Sequence, residues 1–194
     1  MTEIVLFHHL LGLTPGVKAF AERLRAAGHT VHLPDQLRGR TFDSYEAAMD
    51  NARQTGFDTI TRRALDAAAE LPQRVVYAGF SMGALAAQEL LQTSPETLGG
   101  VLMHGFGDPR LLPGRWPETI PVQYHTMAAD PLAVEDGDIV AAEGVADRHP
   151  NLECFLYPGK DHLFTDSSLP EYDAAATEQV TSRILGLLER VASG

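Results

Sequence analysis

The chain has 194 residues, 44% hydrophobic and 21% charged, as in an ordinary globular protein, which excludes extended disorder and collagen-like repeats. The net charge of −11 disfavours binding to nucleic acid or to an anionic membrane, because both carry negative charge. The single cysteine excludes an intrachain disulfide and a thiolate zinc site, and it favours a reducing compartment.

Short apolar runs alternate with helical patterns along the whole chain. The predicted strands cover Ile4–Phe7, Thr30–Leu33, Arg74–Ala78, Gly100–Met103, Val122–Met127 and Leu152–Tyr157. The predicted helices cover Val17–Ala27, residues 43–56 and 58–71, Ala84–Leu91, Ile139–Arg148 and Ala174–Val191. This alternation predicts one α/β domain over residues 1–194, with about six mostly parallel strands and helices on both faces of the sheet.

Membrane and cofactor signals are absent from the sequence. No stretch has the roughly 20 consecutive apolar residues of a transmembrane helix, and the first three residues lack the basic start of a signal peptide. No Gly-x-Gly-x-x-Gly motif follows a predicted strand, which argues against a dinucleotide. We therefore expect a cytoplasmic protein without a membrane partner or a cofactor, and no feature specifies an oligomeric state.

A Gly-x-Ser-x-Gly motif joins a predicted strand to a predicted helix at residues 79–83. In this context the motif is typical of a nucleophile elbow, a sharp turn that holds a serine above the edge of a sheet. Gly79 and Gly83 leave room for the turn, and the helix that follows places its positive end at Ser81. The alternative interpretation is an ordinary glycine-rich turn between a strand and a helix.

A serine nucleophile needs a base, and the elbow predicts the chain order serine, acid, histidine. Asp130 follows the fifth predicted strand, and His162 follows the sixth, so both reach the sheet edge where Ser81 lies. We predict that His162 takes the serine proton and that Asp130 orients the imidazole. Asp130 could instead be only a turn residue. Asp136 and Asp138 are other candidates for the acid, but they lie further past the strand. They are instead predicted to cap the next helix, with Asp138 as its N-cap.

Two backbone N–H groups are predicted to bind an oxyanion next to this serine. Met82 directly follows Ser81 and supplies the first N–H. The second donor is expected in the loop after the first strand, where we choose Leu10. Leu10 could instead be an apolar loop residue that packs on the core, and both roles are compatible.

Several segments of the chain together resemble the dienelactone hydrolase family of α/β-hydrolases. They are residues 11–16, 27–35, 79–83, 130–132, 157–164 and 172–176. The resemblance implies a compact α/β-hydrolase fold without a lid domain or a metal, and a Ser/Cys-His-Asp triad that cleaves esters or lactones. On this chain the triad would be Ser81, Asp130 and His162, with the N–H groups of Leu10 and Met82 as oxyanion donors.

The chain departs from that family at three positions. Ser81 replaces the cysteine of the founding enzymes, His9 replaces a glutamate near the nucleophile, and Asp166 replaces an arginine that holds the substrate carboxylate. Residues 130–194 contain 13 acidic and 4 basic side chains, so we expect the acidity to border the site. Because Asp166 would repel an anionic substrate, we expect a neutral or cationic ester.

The other candidates for substrate contacts lie in loops. His9 lies close to the predicted nucleophile, and either Arg38 or Arg40, in the loop after the second strand, could supply a cation. Trp116 lies in the proline-rich segment of residues 105–121, where it could line the substrate entrance or serve as a packing anchor.

Taken together, these patterns predict a serine hydrolase that cleaves a small carboxylic ester or lactone through an acyl-enzyme. Two alternatives stay open. The chain could be a non-catalytic α/β-hydrolase-fold protein that binds a small molecule in the same pocket. It could also act as a thioesterase, or as an acyltransferase that passes the acyl group to an acceptor other than water.

Overall fold

One six-stranded sheet, in which all neighbouring strands are parallel, forms the centre of the computed structural model, which describes residues 1–193. The strands are β1 (Glu3–Phe7), β2 (Thr30–His32), β3 (Val76–Phe80), β4 (Gly99–Met103), β5 (Val122–Met127) and β6 (Leu152–Tyr157). Their order in the sheet is β2-β1-β3-β4-β5-β6. The predicted number and direction of the strands are confirmed.

Helices cover both faces of this sheet. Within residues 1–193 they are α1 (Pro15–Ala26), α2 (Tyr45–Thr55), α3 (Phe57–Ala69), α4 (Met82–Thr93), α5 (Pro131–Glu135), α6 (Asp138–Ala146) and α7 (Ala174–Ser193). Buried side chains of α1 and α7 pack on one face, and those of α3, α4 and α6 pack on the other. None of these helices combines the length and the apolar character that crossing a membrane requires.

The apolar runs of the sequence follow from this layering. Successive side chains of a strand point to opposite faces, and in β1 Ile4 and Leu6 pack in one apolar cluster while Val5 and Phe7 pack in the other. A strand covered by helices on both faces therefore has no polar side, which explains the uninterrupted hydrophobic residues.

Several elements near the site differ from the sequence predictions. β3 continues to Phe80, and α4 starts directly after the serine at Met82. Helix α5, which was not predicted, starts right after Asp130. Helix α6 starts at Asp138 with Gly137 as its N-cap, so the prediction of Asp138 as the N-cap is wrong. The Asp138 carboxylate instead accepts a hydrogen bond of 3.0 Å from the Phe106 N–H.

The strand order places the functional loops together. It reverses between β1 and β3, and such a reversal opens a crevice at the carboxyl ends of the strands. The loop after β1 and the turn after β3 meet there. Helix α2 packs beside these loops. Its Ala48 and Ala52 share an apolar cluster with Leu10, in the loop after β1, and Leu163, in the loop after β6.

Candidate active site

Ser81 lies between β3 and α4 in a strained backbone conformation. Its φ of 50° and ψ of −116° fall in a region that residues with a Cβ rarely adopt. The residue occupies the N-cap position of α4, yet its side chain makes no capping hydrogen bond. Its Oγ instead lies 2.8 Å from Nε2 of His162. The turn therefore directs the hydroxyl to another loop rather than to its own helix.

Close backbone packing explains the glycines around this serine. A Cβ on Gly79 would lie 2.2 Å from the carbonyl oxygen of Gly83, and a Cβ on Gly83 would lie 2.5 Å from that of His8. A Cβ on Gly105, which follows β4, would lie 2.8 Å from the Ser81 carbonyl oxygen. The Gly-x-Ser-x-Gly motif indicated the first two glycines, but Gly105 is needed only because of its neighbour in space.

His162 connects Ser81 to Asp130 in a continuous chain of hydrogen bonds. Its Nδ1 lies 2.6 Å from Oδ2 of Asp130. A carboxylate only accepts hydrogen bonds, so the ring proton is on Nδ1 and Nε2 is left to accept the Ser81 hydroxyl proton. Of the three residues that the sequence predicted as partners, Ser81 and Asp130 are thus each within hydrogen-bond distance of His162.

Asp130 is fully buried, and the turn around it holds its carboxylate in place. Oδ1 accepts a hydrogen bond of 3.0 Å from the Leu132 N–H, and Oδ2 accepts one of 3.3 Å from the Thr126 hydroxyl as well as that from His162. The residue is the N-cap of α5. Asp130 is therefore a turn residue as well as the partner of His162, and the turn orients the carboxylate toward the ring.

Two backbone N–H groups beside Ser81 are free to bind a ligand oxygen. Met82 is the first residue of α4, so its N–H has no acceptor within the helix. Leu10 lies in the loop after β1, and its N–H donates to no backbone group of residues 1–193. Both residues line the cavity next to Ser81. The two predicted oxyanion donors thus lie beside the same cavity, and their role stays a prediction.

A cavity of about 250 Å³ opens beside Ser81. Its wall contains the predicted residues Leu10, Ser81, Met82 and His162, and nine that were not predicted to line it: Tyr45, Met49, Phe57, Leu85, His104, Gly105, Leu132, Asp136 and Asp138. Helices α2 and α3 contribute three of these side chains, which the sequence showed only as parts of amphipathic patterns. The wall is mainly apolar, and the volume fits a small organic group.

Comparisons with known proteins agree with this architecture. A family model described as the dienelactone hydrolase family matches residues 1–192. The chain belongs to the dienelactone hydrolase family. This confirms the resemblance inferred from the sequence, and the family supports a hydrolase. A search of the curated proteins found no match to the chain.

Solved structures share the fold of this dienelactone hydrolase family member at low sequence identity. A dienelactone hydrolase-like promiscuous phosphotriesterase from metagenomic libraries is 24% identical with a TM-score of 0.76, and the match covers 98% of this chain and 87% of that one. The dienelactone hydrolase from Anabaena variabilis ATCC 29413 is 21% identical, with a TM-score of 0.68 and coverages of 97% and 86%. Thermogutta terrifontis esterase 2 phosphorylated by paraoxon is 16% identical, with a TM-score of 0.64 and coverages of 98% and 82%.

None of the four residues predicted to contact substrate lines the cavity of this family member. His9 and Asp166 are buried against each other, with Nε2 2.8 Å from Oδ2, so Asp166 does not face the cavity as the expected repulsion of an anionic substrate assumed. Arg40 donates a hydrogen bond of 2.7 Å to Oδ1 of Asn51 instead of facing Ser81. Trp116 is a packing residue in the core that also lines a second hollow, whose wall shares Leu85, Asp136 and Asp138 with the cavity.

Two other carboxylates face the cavity instead. Asp136, on the turn between α5 and α6, and Asp138, the first residue of α6, lie in its wall. Burial raises the pKa of Asp138 to about 6, and the negative charge of Asp136 adds to this effect against the hydrogen bond from the Phe106 N–H. The expectation of acidity beside the site is therefore correct, but the residues responsible are different from the one expected.

His104 is a further wall residue, and it carries no charge. It is buried behind His162, with ring centroids 6.0 Å apart, and its Nε2 lies 2.7 Å from the Thr165 hydroxyl. Burial holds the pKa of His104 well below the ordinary histidine value, and the neighbouring His162 lowers it further. A neutral ring at this position places no positive charge beside His162.

Proposed function

We propose that this protein is a serine hydrolase that cleaves a small carboxylic ester or lactone through an acyl-enzyme. The observation that carries the proposal is the hydrogen-bond chain at a strained serine. Ser81 Oγ lies 2.8 Å from His162 Nε2, and His162 Nδ1 lies 2.6 Å from the buried carboxylate of Asp130. Nucleophile, base and orienting acid are the three parts that this chemistry needs.

Acylation starts with attack of the Ser81 oxygen on the carbonyl carbon of the substrate. His162 Nε2 accepts the hydroxyl proton, and the Asp130 carboxylate stabilises the imidazolium that forms. The N–H groups of Met82 and Leu10 donate hydrogen bonds to the developing oxyanion. When the intermediate collapses, the C–O bond to the alcohol breaks and His162 gives the proton to the departing oxygen.

Deacylation repeats these steps with water. His162 takes a proton from the water as its oxygen attacks the acyl carbon, and the bond to Ser81 Oγ then breaks. The proton returns to Ser81, and the carboxylic acid leaves. Each proton that His162 accepts is thus returned within one turnover.

The charge and size of the cavity define the substrate class. Asp136 and Asp138 face a cavity of about 250 Å³ whose other walls are largely apolar. Two carboxylates at short range disfavour a further negative charge. We therefore propose a small neutral or cationic ester, rather than a carboxylate-bearing lactone of the kind that the family name suggests.

Turnover of a series of short neutral esters tests this function. We expect the wild-type protein to hydrolyse them, and Ser81→Ala and His162→Ala to lower kcat by about 10⁴-fold or more. Asp130→Asn should lower kcat by about 10³- to 10⁴-fold, because His162 then loses the acceptor for its Nδ1 proton. Ser94→Ala removes a serine hydroxyl at the opposite end of α4 and should leave kcat unchanged.

Two outcomes would count against the proposal. One is a wild-type protein that binds the esters without turnover, which would support the binding-protein alternative. The other is a Ser81→Ala variant with wild-type kcat. Product analysis with an added alcohol separates hydrolysis from acyl transfer, since hydrolysis gives the acid and transfer gives a new ester.

A further inference from the structure

His9 and Asp166 form a buried link between two loops of the site. His9 lies in the loop after β1, and Asp166 follows His162 by four positions in the loop after β6. Only 1% of His9 and 3% of Asp166 are exposed, and His9 Nε2 lies 2.8 Å from Asp166 Oδ2. This link connects the loop that carries Leu10 to the loop that carries His162.

The hydrogen bonds of His9 fix its orientation and its tautomer. Nδ1 accepts a hydrogen bond of 3.2 Å from the Leu11 N–H, so the ring proton is on Nε2 and is donated to Asp166. Leu10 lies between the two residues that this ring joins, His9 itself and Leu11. The position of the Leu10 N–H therefore depends on where the His9 ring is held.

Asp166 is a rigid anchor for that ring. Its Oδ1 accepts hydrogen bonds from the Ser168 N–H and hydroxyl, at 2.8 and 2.6 Å, and its Oδ2 accepts the Thr14 hydroxyl as well as His9. Burial opposes ionisation, but the hydrogen bonds from His9, Ser168 and Thr14 outweigh it and lower the pKa of Asp166 to about 2. The carboxylate stays ionised and acts only as an acceptor.

We propose that His9 and Asp166 are positioning residues that hold the Leu10 N–H at a fixed position relative to His162. This inference rests on the proposed function, because it assigns the pair to the oxyanion site of that reaction. Hydrogen bonds to an oxyanion require donors at about 2.7 to 3.1 Å from the place where the charge develops. If the loop after β1 moved relative to the loop that carries His162, the substrate would still bind. The Leu10 N–H would then stabilise the transition state less.

Two substitutions of His9 distinguish its hydrogen bond to Asp166 from its hydrogen bond with the Leu11 N–H. The Oδ1 of an asparagine can replace His9 Nδ1 as acceptor for Leu11, but its side chain does not reach Asp166. The Nε2 of a glutamine can replace His9 Nε2 as donor to Asp166. We expect His9→Asn to lower kcat about 10-fold with KM within twofold, and His9→Gln to retain kcat within about threefold.

Asp166→Asn breaks the link from the other side. The asparagine replaces one carboxylate oxygen with an NH2 group. This group must face a hydrogen-bond donor, because all four groups that bond to the Asp166 carboxylate donate. We expect a kcat loss of about 10-fold, and a double variant with His9→Asn should be no slower than the worse single variant, since both remove one interaction. Tyr157→Phe, which removes a buried hydrogen bond of 2.9 Å to His125, is the matched control and should retain kcat.

Inhibition by phenylboronic acid gives a readout that a purely structural role would not change. Its tetrahedral serine adduct places an oxygen in the oxyanion site, so its Ki should rise in parallel with the loss of kcat. Folded variants with a lower melting temperature but wild-type kcat and Ki would overturn the proposal, as would equal losses in His9→Asn and His9→Gln. If Asp166→Asn does not fold, His9→Asn carries the test. A failure of the proposed function is distinct, because the wild type itself would then be inactive.

Discussion

Asp166 and Asp138 are carboxylates of the same acidic third of the chain, and the structure gives them opposite properties. Asp166 is buried behind the site among four hydrogen-bond donors, which lower its pKa to about 2. Asp138 faces the cavity with one backbone donor and a like charge nearby, and burial raises its pKa to about 6. The difference shows that hydrogen bonds, not burial alone, decide which carboxylate is a structural anion.

This contrast also assigns different functions to the two groups. Asp166 does not line the cavity, and the donors around its carboxylate offset part of its negative charge. A carboxylate in the cavity wall acts on any charge that enters. We therefore expect any substrate preference based on charge to depend on Asp136 and Asp138, which line the cavity, rather than on Asp166.

The largest difference between the two is expected in stability. Asp166→Ala leaves the buried donors of His9, Thr14 and Ser168 without an acceptor, and we expect it to lower the free energy of unfolding by about 3 kcal/mol. Asp138→Ala removes one hydrogen bond from a partly exposed group and should lower it by about 1 kcal/mol or less. Urea unfolding at pH 7 measures both, and equal losses would contradict the contrast.

A smaller effect is expected in the pH dependence of stability. The folded pKa of Asp138, about 6, lies above the ordinary 3.8, so its contribution is fully present below pH 3.8 and is lost as the pH rises toward 6. Relative to Asp138→Asn, the wild type should lose about 1 kcal/mol of unfolding free energy between pH 4 and pH 7, after allowance for solvent screening.

The same experiment has an internal control. Burial lowers the pKa of His8 to about 4, so both proteins become less stable as the pH falls below 6.5, and this effect cancels in the difference. The contribution of Asp166 to stability changes with pH in the opposite direction to that of Asp138. It is present above pH 3.8 and is lost as the pH falls toward 2. A difference between wild type and Asp138→Asn that is constant from pH 4 to pH 7 would show that Asp138 titrates normally.

The smallest effect is expected in substrate choice. For a pair of esters that differ only in a carboxylate, Asp138→Asn should raise the ratio of kcat/KM for the anionic to the neutral ester about fivefold at pH 7.5. In the wild type the same ratio should rise below pH 6, because Asp138 becomes protonated. Asp166→Asn should slow both esters and leave the ratio within twofold. A change of the ratio in Asp166→Asn alone would restore the sequence-based hypothesis.

The parts of the fold that sequence reasoning recovered are those with local causes. Strands buried on both faces leave continuous apolar runs such as Ile4–Phe7, and a strained turn needs the two glycines at Gly79 and Gly83. Ser81, Asp130 and His162 each follow a strand of a parallel sheet, and the loops after such strands meet at one edge. Their meeting could therefore be predicted from their places in the sequence. These features depend on short segments, so a single sequence suffices to predict them.

The parts that were missed depend on distant neighbours. Asp166 resembles a loop residue by sequence, and its burial depends on His9, which lies 157 positions away. Tyr45 and Phe57 line the cavity because of how α2 and α3 pack at the sheet edge, which their amphipathic patterns do not specify. The N-cap was misplaced by one residue: α6 starts at Asp138, whose carboxylate accepts a hydrogen bond from the distant Phe106 N–H instead of capping the helix.

Covalent labelling of Ser81 tests the central claim most directly. After incubation with a fluorophosphonate, intact-protein mass spectrometry should show one adduct per chain, mapped to the peptide that contains Ser81. The adduct should be absent in Ser81→Ala and should form at least about 100-fold more slowly in His162→Ala, because the hydroxyl then lacks its base. A wild-type protein that hydrolyses esters without labelling, or a label on another residue, would contradict the account.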